Sequence, residues 1–163
     1  SKKIPWGILL LFGGGLAIAA GFRETGLSTW MGEQLTVLDS LHMLLIISCA
    51  TLMILFLTEI TSNTATATMI IPVVASLALA LNIHPFALMV CCAMAANCAF
   101  MLPVGTPPNA IIFATDKLRI AEMVRTGFVM NIIAATLVVL VVYFLMPLFW
   151  GLELDVVPEA FRL

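Results

Sequence analysis

Thr58-Glu59-Ile60-Thr61-Ser62-Asn63-Thr64-Ala65-Thr66-Ala67-Thr68, in one-letter code TEITSNTATAT, decides how this chain is read. It lies between two apolar runs, Leu41 to Leu57 and Met69 to Leu81, neither of which contains a Lys, Arg, Asp or Glu. In lipid an unpaired backbone group costs several kcal/mol, so irregular chain persists at depth only where protein buries it or where it lines a wet cavity. The insert supplies five threonines, one serine, one asparagine and the Glu59 carboxylate. Oxygen donors of that type suit a hard cation such as sodium better than a soft metal. The remaining sequence makes sense as a frame holding this insert near the middle of a bilayer.

Composition sets the class around it. The chain has 163 residues, of which 63% are hydrophobic and only 10% charged, with a mean hydropathy of +1.17. A soluble domain of this size does not read that way, whereas apolar blocks joined by short polar links make an all-α, multi-span membrane protein. A net charge of −2 gives no basis for a nucleic-acid partner. Cys49, Cys91, Cys92 and Cys98 all fall inside apolar runs, without the turns and partner ligands of a metal site, and read as small core residues.

Working outward, residues 1–40 form a first apolar block, Ile4 to Phe22, and an interfacial segment carrying Arg23, Glu24, Glu33, Asp39 and the anchor Trp30. Gly13-Gly14-Gly15 reads as close packing through small residues more readily than as a break. Gly26 to Val37 is mildly amphipathic, fit for a short helix in the interface. Residues 41–82 read as a re-entrant hairpin, because both arms are short for a ~30 Å hydrocarbon core. The insert also lacks the Lys, Gly, Pro and Asp of a solvated turn.

Asn82-Ile83-His84-Pro85 is a turn. Residues 85–115 read as a discontinuous helix: an apolar stretch, Phe86 to Leu102, with Asn97 buried as interhelical glue, then PVGTPPN at Pro103 to Asn109, then the stub Ala110 to Ala114. Three prolines and Gly105 forbid a continuous helix there and leave carbonyls unpaired. Residues 116–126, with Lys117, Arg119 and Arg125 against Asp116 and Glu122, read as a cytoplasmic surface helix. Residues 127–150 form the last span, and the acidic tail 151–163 is expected to be partly disordered. Placing Lys2, Lys3 and the 117–125 cluster in the cytoplasm opens the hairpin to the outside.

No Lys or Arg occurs between Arg23 and Lys117. An anion bound at the insert must therefore be held by helix N-termini, with roughly half a positive charge each, or by bound cations. The insert offers both. Broken helices meeting near the midplane are the plan of many secondary transporters, and a shared site makes cation and anion each favour the other.

Ser62-Asn63-Thr64 within TEITSNTATAT, followed about forty residues later by PVGTPPNA, resembles the divalent anion/sodium symporter family of di- and tricarboxylate transporters. The likeness runs from IPWGILLLFGGG to the last span and matches that family's C-terminal half. It implies an elevator-type homodimer of two inverted repeats in a bacterial inner membrane, each repeat giving one hairpin tip and one broken helix. Only one such set is present, so the resemblance places the other Ser-Asn-Thr motif in a missing N-terminal half. It also implies a co-transported sodium ion on Thr58, Thr61, Asn63 and Gly105, with Thr61 and Gly105 acting mainly through backbone carbonyls. A substrate carboxylate would meet Asn63, Thr64, Thr106 and Pro107. Some members carry Ala where Gly105 stands, which matters little for a carbonyl ligand.

The function expected is therefore sodium-coupled transport of a small divalent anion, most simply a C4-dicarboxylate such as succinate. An exchanger or a sulfate or tricarboxylate carrier on the same scaffold is the rival within transport. A membrane-embedded enzyme using Glu59 and His84 as acid and base is the rival outside it, and is set aside because no nucleophile or metal constellation accompanies them. Glu59 is either functional or a carboxylate tied to neighbouring hydroxyls or backbone amides.

Overall fold

A computed structural model describes residues 43–158 continuously, with scattered positions between Leu10 and Trp30. The expectations for the first span, the interfacial helix, Lys2 and Lys3 and the last tail residues lie largely or wholly outside the described residues. Gly13 and Gly14 are helical, and the close packing expected of the glycine run concerns neighbours that lie largely outside the described residues.

All regular structure among the described residues is helical, as an all-α membrane protein requires. Helix α1 spans Met43–Thr58 and α2 spans Asn63–Ala80, joined only by residues 59–62. Helix α3 (Pro85–Ala95) begins at His84, whose Nδ1 accepts the Phe86 amide at 3.2 Å, with Pro85 in the first turn where no intrahelical donor is needed. Helix α4 (Pro107–Phe113) starts the same way, with Thr106 Oγ1 accepting the Asn109 amide at 3.4 Å. Helix α5 (Ile120–Leu140) runs through a π-helical segment, Val141–Leu145, into α6 (Met146–Trp150). Gly151, at φ +60°, ends it in the left-handed region that only glycine enters freely.

Helix α3 is the hub. It packs on α1, α2 and α5, and the two hairpin arms each touch α3 more than one another. Ile47, Ile54, Leu55, Ala87, Leu88, Cys91, Cys92, Ala95 and Val142 form a fully buried core. Cys91 and Cys92 are thus core residues, while Cys49 is exposed and Cys98 half-buried. Phe128, Val129, Ile132, Ile133, Leu137 and Phe144 leave an apolar face of α5 and its π-helical continuation uncovered, as a lipid-facing span would. Asn63–Ala80 and Ile120–Trp150 are long and apolar enough to cross a membrane.

Several sequence boundaries move. The threonine run is helical from Asn63 onward, as a helix N-terminus at the insert requires, so the second arm has 18 residues and is longer than its apolar run from Met69. The threonines lose little by this, since Thr68 Oγ1 bonds back to the Thr64 carbonyl within the helix. The apolar stretch expected to be helical to Leu102 stops at Ala95, and the break opens there, well before Pro103. The stub begins at Pro107 instead of Ala110. No separate surface helix occupies residues 116–126: the chain turns at Asp116 (φ +57°), and Glu122 Oε2 accepts the Arg119 amide at 2.9 Å to start one long helix. Residues 151–158 are anchored, with Leu154 and Val157 buried and the Leu154 carbonyl accepting the His84 amide at 2.9 Å, so any disorder of the tail falls beyond them, outside the described residues.

Candidate functional site

The joint between α1 and α2 faces the break between α3 and α4. Ser62, Asn63 and Thr64 line a cavity of about 740 Å³ together with Asn97, Pro103, Val104, Gly105, Thr106 and Pro107. A second cavity of about 550 Å³ continues along α2 and shares Asn63, Thr64 and Asn97 with the first. Two motifs about forty residues apart in sequence are thus the walls of one space.

The Thr58 hydroxyl lies beneath the tip, fully buried, 2.9 Å from Asn63 Oδ1 and 2.8 Å from the Ala96 carbonyl. One hydroxyl proton is shared between the two acceptors, so oxygens from the start of α2 and the end of α3 both lie within hydrogen-bond distance of a third at the end of α1. Gly105 is buried and lines the same cavity as Asn63. Thr61 is different. Its hydroxyl donates to the Leu57 carbonyl at 2.8 Å or meets Thr66 Oγ1 at 2.5 Å, and its side chain is absent from the cavity wall. Of the substrate candidates, Asn63, Thr64, Thr106 and Pro107 all line the cavity. The first intrahelical bond of α2 runs from the Thr66 amide to the Ser62 carbonyl at 2.8 Å, so the amides of Asn63 and Thr64 precede it at the positive end of the helix.

Glu59 takes the blander of its two readings, with a specificity the sequence did not announce. It is 4% exposed, and its carboxylate accepts amides from the break. Oε1 receives Phe100 N–H at 2.8 Å and Met101 N–H at 3.0 Å, while Oε2 receives Met101 N–H at 3.1 Å and Leu102 N–H at 3.1 Å. Asn131 Nδ2, from α5, donates to Oε1 at 2.7 Å. Every one of these partners is a donor, which an ionised carboxylate satisfies. On the far side Gly127 lets α5 press against the same peptides, since a Cβ there would stand 2.3 Å from the Phe100 carbonyl oxygen. Asn109 Nδ2 donates to the Ala99 and Leu102 carbonyls at 2.8 and 3.0 Å, absorbing acceptors that the unwound chain leaves open.

Sequence reasoning misplaced Asn97 and missed Ala96 and Asn131. Asn97 is exposed, outside any helix, and lines both cavities, because the helix it was expected to sit within ends two residues earlier at Ala95. Ala96 acts through its carbonyl, which no side-chain pattern reveals. Asn131, an amide in an otherwise apolar span, was the available signal for a buried polar contact. Its Oδ1 is buried without a hydrogen-bond partner among the described residues. His84 stands at the other end of α2 from Glu59, about 27 Å of helix away at ~1.5 Å per residue. Its burial depresses the imidazole pKa below the ordinary range.

Interrupted helices that set an oxygen-rich tip against an unwound turn across a cavity recur in secondary transporters of the membrane. The profile of the sodium:sulfate symporter transmembrane region matches residues 1–151, and the chain belongs to that family. It is 56% identical over 153 residues to a "Sodium-dependent dicarboxylate transporter SdcS" of Staphylococcus saprophyticus, covering 94% of this chain and 30% of that protein. A protein of the same name from Staphylococcus aureus strain MRSA252 is 54% identical over 155 residues, 95% of this chain and 30% of the relative. The chain therefore spans about 30% of the length of these relatives, in their C-terminal part, which is less than the half expected.

Proposed function

We propose that this chain is the C-terminal part of a sodium-coupled carrier of a small divalent anion, a C4-dicarboxylate such as succinate. The observation that carries the proposal is the shared cavity. Its walls bring Asn63 and the N-terminus of α2 together with Gly105, Thr106 and Pro107, and behind the wall the buried Thr58 hydroxyl stands between Asn63 Oδ1 and the Ala96 carbonyl. With no Lys or Arg between residues 23 and 117, an anion there is balanced by helix amides and a bound cation, which makes sodium and substrate mutually supportive. The names of the two relatives supply the substrate class.

In this reading sodium sits on Thr58, Asn63, the Gly105 carbonyl and the Thr61 carbonyl, while Asn63, Thr64, Thr106 and Pro107 meet a substrate carboxylate. Residues 41–82 re-enter from the outside of a bacterial inner membrane. The complete, multi-pass transporter is an elevator-type homodimer whose second tip and second broken helix come from another part of the protein. Sulfate is the rival substrate, favoured by the description of the family profile itself.

The full-length transporter in liposomes should accumulate labelled succinate when an inward sodium gradient is imposed, and not under potassium. Excess succinate should compete more strongly than sulfate. Uptake indifferent to sodium would make the protein an exchanger or a uniporter, and stronger competition by sulfate would reassign the substrate.

A further inference from the structure

The walls of the cavity come from segments far apart in sequence; Thr58 makes one contact between them, to the Ala96 carbonyl, and Glu59 joins them at their roots through several. Glu59 lies three residues before the Ser62–Asn63–Thr64 tip, while its amide partners at Phe100, Met101 and Leu102 lie immediately before the turn at residues 103–107. The carboxylate is also close behind the turn itself, since a Cβ on Gly105 would stand 3.5 Å from Oε2. Asn131 fixes the same carboxylate to α5, and Gly127 brings α5 against the Phe100 carbonyl from the other side. The donors are backbone groups of an unwound stretch with no helix or strand of their own; Asn109 holds its carbonyls and Glu59 its amides, so the position of that stretch depends on both.

We infer that Glu59 is a positioning residue, a pin that sets the separation of the tip from the turn and so the width of the space in which sodium and substrate bind. It touches neither ligand. The inference rests on the transport reading for its kinetic consequences, but its geometric content is independent of any ligand.

The geometry can be read in the full-length transporter, freed of other reactive cysteines, by spin labels on Ser62→Cys and Val104→Cys. Both positions are exposed and they belong to different walls of the cavity. Dipolar coupling between the labels reports the width with no ligand present. Glu59→Gln keeps the shape of the side chain but sets an amide nitrogen against backbone donors, and should broaden and shift the distance distribution. In uptake assays it should raise the KM for both succinate and sodium by roughly tenfold, the scale of losing charge-assisted hydrogen bonds. The maximal rate per folded transporter should change far less. Glu59→Asp, one methylene shorter but still charged, should recover part of both effects.

Gly127→Ala leaves the carboxylate intact and pushes the same peptides from behind, so it should move the same distance. It decides the matter should Glu59→Gln fail to fold. An unchanged distance distribution in folded Glu59→Gln overturns the inference, as does a lower yield of folded protein with both KM values unaltered. Wild-type protein that moves no succinate under a sodium gradient refutes the transport reading instead, and the label distances then judge Glu59 alone.

Discussion

Asn63 has one amide oxygen and two N–H groups, and its oxygen already faces the Thr58 hydroxyl at 2.9 Å while the residue lines the cavity. In the function proposed above, it touches a cation with its oxygen and an anion with its nitrogen. Asn63→Asp keeps the size and the cation-binding oxygen but turns a donor into negative charge facing the substrate. In the full-length transporter it should retain or tighten sodium binding and lose most dicarboxylate binding, measured separately by calorimetry. Asn63→Ala should weaken both, at about 1–3 kcal/mol for each buried partner left unpaired. Thr64→Ala, losing only an exposed hydroxyl, should be milder. Normal dicarboxylate affinity in Asn63→Asp would remove the bridging role. Residues of this kind were legible, because Ser62, Asn63 and Thr64 interrupt membrane-grade sequence. Glu59 was legible only as an anomaly: its partners are backbone amides 41 to 43 residues away, and peptide N–H groups carry no letter in the sequence.

Among the elements, α1, α2, α4 and the last span were visible because apolar length, prolines and caps mark them. Where α3 ends was not visible. Ala96, Asn97 and Cys98 have no helix-breaking chemistry, and the chain unwinds there because Thr58, Glu59 and Asn109 claim the carbonyls of Ala96, Ala99 and Leu102 and the amides of residues 100–102. That is tertiary competition, which local propensity does not encode. The extended α2 also changes the case for re-entry. At 18 residues it reaches about 27 Å, so shortness no longer argues for a hairpin, and the polar first turns from Asn63 to Thr68 carry that argument alone. Ser62→Cys should be shielded from an impermeant cytoplasmic maleimide when the transporter faces outward, while Asn82→Cys reacts from the outside. Cytoplasmic reactivity of Ser62→Cys that ignores sodium and succinate would make α1 and α2 full spans.

At the scale of the whole molecule the described residues present one oxygen-rich tip, one broken helix and an uncovered apolar face on α5. Reconstituted by itself in liposomes it should show no sodium-driven succinate uptake, since one wall set cannot enclose a dianion from both ends. Robust uptake would overturn its reading as part of a larger carrier. The Glu59 contacts have a consequence for biosynthesis. Asn131, the last donor to that carboxylate, is 72 residues further along the chain. At ribosomal speeds of 5–20 residues per second it emerges roughly 4 to 14 s after Glu59. Its amide donors at residues 100–102 follow it by only 41 to 43 residues, so the carboxylate is first without any partner and then without its last one, and an unpaired carboxylate is costly in hydrocarbon. The tip is therefore expected to stay at the aqueous edge or in the shelter of the insertion machinery until residues 100–102 have followed it, and Asn131 completes the set when the last helix is made.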